Sequence, residues 1–183
     1  MPHKPKKTAL YDYHIANSKN VVDFSGFYLP VFYSGIIDEH RAVRKKAALF
    51  DVSHMGQLII SGKESEKFVQ AVTTNDVSKL NSGQAQYSAI CNELGGLIDD
   101  VIVYKRKSDY MIVVNASGIE KKYKWLKSAS TKSVQIENRS NELSMIAIQG
   151  PLSRKIIQAN TSVDISKLKF YNFIESIDFL GFT

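Results

Sequence analysis

Apolar positions follow a period of two in some stretches of this chain and a period near 3.6 in others, and the two kinds alternate. A short amphipathic helix is expected over residues 9–16. Residues 20–24 and 26–32 read as strands joined at Ser25-Gly26. Ile36, Ile37, His40, Val43 and Ala47 recur at helical spacing and predict a helix over 36–47, with Ser34 as its N-cap. Residues 49–52 and 57–60 read as strands. Ser61-Gly62 then breaks into a helix over 63–72, with Phe68, Val69 and Val72 toward the core and Glu64, Ser65 and Lys67 toward water. A polar connection covers 73–82. Three strands follow at 85–91, 97–104 and 110–114, the last two joined by a hairpin turn at Arg106-Lys107-Ser108-Asp109. Ser117 can cap a helix to residue 127, with Ile119, Tyr123, Trp125 and Leu126 as core contacts. Strands at 133–137 and 143–148, a helix opened by Gly150-Pro151, and a final strand or strand pair over 170–179 complete the chain. Strand pairs alternating with single helices predict an α+β fold, with mixed or antiparallel sheets and packed helices. The strand-helix-strand-strand rhythm suggests ferredoxin-like units.

The chain has 183 residues, enough for one domain with a real core or two small ones. No apolar run approaches the roughly 18–20 residues of a membrane span. The start, Met1 to Lys7, is basic and lacks an apolar segment behind it. It is not a secretory signal, and a disordered tail over 1–7 is expected. A single cysteine, Cys91, excludes an intramolecular disulfide and fits a reducing cytosol, so a cytoplasmic location is expected. Cys91 lies in an apolar strand, where a small buried hydrophobe is the usual reading. His3, His14, His40 and His54 show no ligand spacing, and no metal is expected. The net charge of +6 suits an acidic partner or an anionic ligand. The lysines and arginines are spread over 4–7, 41–46, 105–107 and 121–127. They form no nucleic-acid motif and read mostly as solvated helix faces.

The candidate chemistry lies in Gly95-Gly96-Leu97-Ile98-Asp99-Asp100-Val101-Ile102-Val103-Tyr104. Two adjacent carboxylates stand in an otherwise apolar, β-branched strand opened by a Gly-Gly turn. A buried carboxylate needs a partner or a task. Successive strand residues point to opposite faces, so Asp99 and Asp100 cannot share a proton as a dyad on one face. Periodicity leaves open which of them looks into a site. It also leaves open a structural reading through turn capping or backbone hydrogen bonds.

The text around this strand is specific. Thr8-Ala9-Leu10-Tyr11-Asp12-Tyr13-His14 and Tyr33-Ser34-Gly35-Ile36-Ile37-Asp38-Glu39-His40 open the chain. Phe50-Asp51-Val52-Ser53-His54-Met55-Gly56 and Asn92-Glu93-Leu94-Gly95-Gly96 precede the two carboxylates. Val113-Val114-Asn115-Ala116, Ile119-Glu120-Lys121 and Ala147-Ile148-Gln149-Gly150-Pro151 follow them. In this order and spacing the set resembles the T-protein of the glycine cleavage system, a folate-dependent aminomethyltransferase. The resemblance runs from about Thr8 to the last residue.

The resemblance implies a folate-binding domain. It also implies transfer of an aminomethyl group from the lipoyl arm of H-protein to tetrahydrofolate, releasing ammonia and forming 5,10-methylenetetrahydrofolate. Tetrahydrofolate would be a co-substrate, with no metal. The family's key carboxylate falls on Asp100, and its folate contacts fall on Met55, Tyr87, Asp100 and Asn115. Each contact keeps a plainer alternative: core filling for Met55, strand packing for Tyr87, and strand-end capping for Asn115. The family is about twice this length. Its later Thr-Gly-Tyr-Thr-Gly segment, acidic residue and arginine are not reached by Thr183. The resemblance therefore implies that residues 8–183 are the N-terminal part of the region, inactive alone. Losing two charged partners at about 1.5–3 kcal/mol each should weaken folate binding at least ~100-fold, which calorimetry can measure. Two other readings compete. One is a related protein using the same folate scaffold, such as a demethylase, a domain of a sarcosine- or dimethylglycine-oxidising enzyme, or an iron–sulfur assembly factor. The other is a non-catalytic module that binds an acidic partner.

Overall fold

The computed structural model of the protein describes residues 4–182. In chain order its elements are α1 (Tyr11–Asn17), β1 (Val21–Phe24), β2 (Phe27–Pro30), α2 (Ile36–Lys45), β3 (Ala48–Asp51), β4 (Gly56–Ser61), α3 (Ser65–Val72), β5 (Gln84–Cys91), β6 (Leu97–Lys105), β7 (Tyr110–Val114), α4 (Ile119–Ala129), β8 (Gln135–Asn138), β9 (Ile146–Gln149) and α5 (Ser153–Gln158). A short 3-10 turn at Val77–Lys79 interrupts the polar connection. The fold is α+β, and every strand ladder among the described residues is antiparallel. The chain divides into two compact units. Among the described residues, 4–54, 144–167 and 176–182 make the first, and 55–143 with 168–175 make the second.

In the first unit β1 and β2 form a hairpin and β3 pairs with β9. A buried histidine joins its parts. The His14 Nε2–H donates to Asp51 Oδ2 at 2.8 Å, and Nδ1 lies 2.7 Å from the Tyr33 hydroxyl. Lys6 reaches the hairpin edge, its N–H donating to Gly26 O and its carbonyl accepting from Tyr28 N–H. An open strand edge offers such unpaired groups. Lys6, within the 1–7 stretch, thus pairs with the hairpin; Met1, Pro2 and His3 lie outside the described residues. An open apolar cleft of about 770 Å³ is lined by Phe24, Tyr33, Ile36, Val43, Leu49 and Phe50 among others. The expected apolar stripe of α2 borders this cleft, and no residue of that helix is buried.

Ser34 does not cap α2. Instead Glu39 Oε1 accepts the backbone N–H groups of Tyr33 (2.6 Å), Ser34 (2.7 Å) and Gly35 (3.3 Å). The carboxylate reaches back from the first turn and satisfies donors that the helix leaves orphaned. Burial pushes the Glu39 carboxyl up, but these bonds outweigh it and hold the group below its ordinary 4.5. At Asp51 burial is likewise outweighed by hydrogen bonds from Ser53 and His14, and its carboxyl stays below 3.8. Both folded values are depressed. Their contribution to stability is therefore complete above the unfolded values and lost as pH falls through the folded ones. Stability should be flat from neutral pH down to about 5 with respect to these two groups and decline below it. Glu39→Gln should remove part of that decline. Urea unfolding at several pH values checks this, and an acid limb unchanged by Glu39→Gln and Asp51→Asn would contradict it.

The second unit holds a five-stranded sheet in the order β5-β6-β7-β4-β8. The expected strand-helix-strand rhythm is present, with a three-strand meander, β5 to β7, between α3 and α4. One sheet face and the helices α3 and α4 enclose the core. Leu58, Ile60, Val69, Val77, Ile90, Val103, Ile112, Val114 and Leu126 are fully buried there. Each such side chain contributes about 1.5–3 kcal/mol on burial. Ser65, expected toward water, is buried at the start of α3. Gly56 lets α4 approach closely, since a Cβ there would stand 2.6 Å from Val114 Cγ2 and 3.0 Å from Ile119 Cγ1. The left-handed Gly118 precedes α4, in place of the expected Ser117 cap.

The expected strand over 170–179 does not form. Tyr171 and Leu180 adopt positive φ, which ends an extended run. Only single bridges remain, Gln84 with Asn172 and Phe179 with Phe182. The segment is tied to the β5 edge by Ala85 N–H to Tyr171 O and Phe173 N–H to Gly83 O.

Candidate functional site

Strand alternation separates the two carboxylates. Asp99 joins Val101 and Val103 on the core side and is buried, while Asp100 joins Ile102 and Tyr104 on the other face and is exposed. The turn that leads into them is built as the Gly-Gly pair suggested. Gly95 takes a positive φ of 79°, and Asn92 Oδ1 accepts from the N–H groups of Leu94 and Gly96.

The sheet register gathers the candidate residues. β6 and β7 run opposite each other to Val101 and Val114, so Asp100 stands opposite Asn115 one position on. β4 and β7 run to Gly56 and Val114, so Met55 stands opposite Asn115 from the other side. Met55 is half-buried in the bend before β4. In the next row Tyr87 pairs with Ile102, Ile102 with Val113, and Val113 with Gln57. Gln57 is buried, and its amide atoms have no hydrogen-bond partner among the described residues.

Three of the four candidates touch. The Tyr87 hydroxyl donates to Asp100 Oδ2 at 3.1 Å. Asn115 Nδ2 donates to Asp100 Oδ1 and to Asp99 Oδ1, both at 2.9 Å. The hydrogen bond to Asp100, then burial, then the negative charge of that carboxylate push the Tyr87 hydroxyl above its ordinary 10.0. Tyr87 therefore remains a donor at neutral pH. The Asp100 carboxylate is held at both oxygens and still has acceptor capacity, since an ionised carboxylate offers about four lone-pair sites. Asn115 has spent both amide hydrogens and keeps Oδ1 as an acceptor. The exposed array of Asp100 and Asn115 accepts hydrogen bonds and carries negative charge. It suits a ligand edge rich in N–H groups or a centre that becomes cationic.

Asp99 is fully engaged. Its Oδ2 meets Lys122 Nζ at 2.7 Å and accepts from the Asn115 backbone N–H at 2.9 Å. The structural reading of an aspartate in such a strand describes Asp99. Lys122, grouped by sequence with the solvated lysines of 121–127, is buried. The signal was present in the sequence. Ile119, Lys122, Tyr123 and Leu126 follow the i, i+3, i+4, i+7 spacing of a buried helix stripe. A lysine there needs a buried anion. Tyr171 also borders this sheet, its carbonyl accepting from the Ala85 N–H on β5.

None of Met55, Tyr87, Asp100 and Asn115 lines the apolar cleft of the first unit. The cleft has volume but few convergent polar groups. The chemistry on the second unit's open sheet face is more specific.

Comparison with known proteins supports a single family. The family model described as GCVT N-terminal domain matches residues 10–182. The aminomethyltransferase of Anoxybacillus flavithermus is 45% identical over 177 residues, covering 96% of this chain and 49% of that protein. That of Bacillus cytotoxicus is 47% identical over 169 residues, covering 92% of this chain and 46% of that protein. The crystal structure of glycine cleavage system aminomethyltransferase T from Bartonella henselae superposes with a TM-score of 0.83 at 27% identity. It is matched over 91% of this chain and 46% of its own. The chain spans about half the length of the curated relatives it matches.

Proposed function

The chain belongs to the GCVT N-terminal domain family, and from that premise we propose that it supplies the folate-side half of a glycine cleavage aminomethyltransferase. The substrate is an aminomethyl group on a lipoyl sulfur of H-protein, and the acceptor is tetrahydrofolate. N5 and N10 of the folate each form a bond to the methylene carbon, while its bonds to nitrogen and sulfur break. The two displaced folate protons go to the departing amine and thiolate. The products are ammonia, dihydrolipoyl H-protein and 5,10-methylenetetrahydrofolate.

The observation that carries this reading is Asp100. It is an exposed carboxylate fixed by Tyr87 and Asn115, with lone pairs to spare. The methylene carbon passes through iminium-like, cationic character during transfer, and a fixed carboxylate stabilises that charge without reorganising. The acceptors on Asp100 and Asn115 match the N–H groups of a reduced pterin and orient it for attack. Met55 offers a polarizable sulfur to the ring. The test uses a protein of the family's full length, with this chain as its N-terminal half. Ammonia and methylenetetrahydrofolate should appear in equal amounts, and only when aminomethyl-lipoyl H-protein is supplied. Turnover of N-methyl amines without H-protein would instead favour a related folate enzyme.

H-protein is the proposed acidic partner. Arg41, Arg44, Lys45 and Lys46 are exposed from the middle of α2 to its C-cap, and Arg41 Nη1 is only loosely paired, 3.9 Å from Asp38 Oδ1. If they steer association, its rate should fall severalfold as salt rises from about 0.05 to 0.15 M, because screening shortens the reach of exposed charges. A stopped-flow association rate independent of salt, and unaltered by neutralising these four residues, would remove this role.

A further inference from the structure

We propose that Lys122 is a positioning residue for the Asp100 carboxylate, acting through Asp99 and Asn115. This rests on the reading of Asp100 as the reactive carboxylate. Lys122 lies on α4, and its ammonium is buried with Asp99 on the core side of the sheet. Asp100 stands on the opposite face. Asn115, just past the end of β7, connects the two sides.

The grip on Asn115 is complete. Lys122 Nζ donates to Asn115 O at 2.7 Å. Asp99 Oδ2 accepts the Asn115 backbone N–H at 2.9 Å, and Asp99 Oδ1 accepts one Nδ2 hydrogen at 2.9 Å. Carbonyl, amide and side chain are thus each held by the buried pair. The second Nδ2 hydrogen is thereby aimed at Asp100 Oδ1, also at 2.9 Å. An exposed aspartate samples several rotamers unless something holds it. Here Asn115 fixes one oxygen and Tyr87 the other.

Stability alone is a weak reason for this arrangement. Desolvating a lysine and an aspartate is costly, and an apolar pair of similar volume often does as well. The charged pair supplies directed hydrogen bonds that an apolar pair cannot, and among the described residues these end on Asn115 or on the pair itself. Lys122 would therefore affect transfer without touching substrate.

The test is proton exchange at the Asn115 side-chain amide, followed by NMR on the 183-residue chain uniformly labelled with ¹⁵N. In the wild type these protons should be protected. Lys122→Met should speed their exchange about tenfold or more by freeing Asn115 locally, while Ile112 and Val114 in β7, though faster as stability falls, stay far better protected than the Asn115 amide. Lys122→Arg should restore part of it. Unchanged Asn115 exchange in Lys122→Met overturns the proposal. If Lys122→Met does not fold, Asp99→Leu with Lys122→Met removes both buried charges, and persistence of Asn115 protection there overturns it equally. In the full-length protein Lys122→Met should lower kcat more than it raises KM for tetrahydrofolate, with partial rescue by arginine. A rise in KM with kcat unchanged contradicts positioning. Full activity in Asp100→Asn would sink the catalytic reading instead, while the exchange result still decides whether Lys122 orders Asn115.

Discussion

Asp100→Asn is expected to slow aminomethyl transfer by about two orders of magnitude or more, the scale of losing one preorganised electrostatic contact. The assay needs the family's full length, with this chain as the N-terminal half, plus H-protein and tetrahydrofolate. The substitution is nearly isosteric, so Tyr87 keeps an acceptor at this position. What disappears is the negative charge beside the methylene carbon, together with the acceptor for the Asn115 side-chain amide. Asp99→Asn should act differently, because Asp99 is buried against Lys122 and Asn115. Its effect should appear first in stability. Near-normal transfer in Asp100→Asn, with a direct loss of kcat in a well-folded Asp99→Asn, would exchange the two assignments.

The second large effect concerns the buried ion pair. Lys122→Met leaves the Asp99 carboxylate buried without its cation, which should cost about 3–5 kcal/mol. Against a total of about 5–15 kcal/mol for a domain, that is a large share. Removing both charges, with Asp99→Leu added to Lys122→Met, should recover most of the loss. Urea unfolding of the three proteins gives the comparison. A midpoint unchanged in Lys122→Met would mean that water reaches Asp99 readily and that the pair is not truly buried.

Much of this was legible in the sequence, for identifiable reasons. Helices and strands through α5 followed from periodicity, because each buries one face against a core. The meander β5 to β7 was marked by Gly95-Gly96 and by the Arg106 to Asp109 turn, whose Arg106 N–H donates to Asp109 O. Opposite-face geometry separates Asp99 from Asp100, while the packing of β6 decides which of them faces the core. The apolar content of 170–179 predicts a strand that its backbone does not form. Its aromatic residues instead follow a backbone that turns at Tyr171, and the Phe173 ring packs 5.4 Å from Tyr104. Glu39 replaced Ser34 as the cap of α2 because a longer side chain could return from the first turn to three N–H groups at once. The neighbouring lysines mask Lys122 in the sequence, although its place on the α4 stripe distinguishes it. Whether a charged residue on a core-facing stripe has a buried partner depends on the sheet beneath it, and a single helix does not reveal that.

The central claim is that the Asp100 face of the second unit receives the pterin. The most direct measurement is an NMR titration of this chain with tetrahydrofolate, because shift changes locate even weak binding. The account predicts saturable changes at the Met55 methyl, the Tyr87 ring and the Asn115 side-chain amide, abolished in Asp100→Asn. Changes confined to the first unit's apolar cleft around Tyr33 and Phe50, or site shifts that persist in Asp100→Asn, would contradict it.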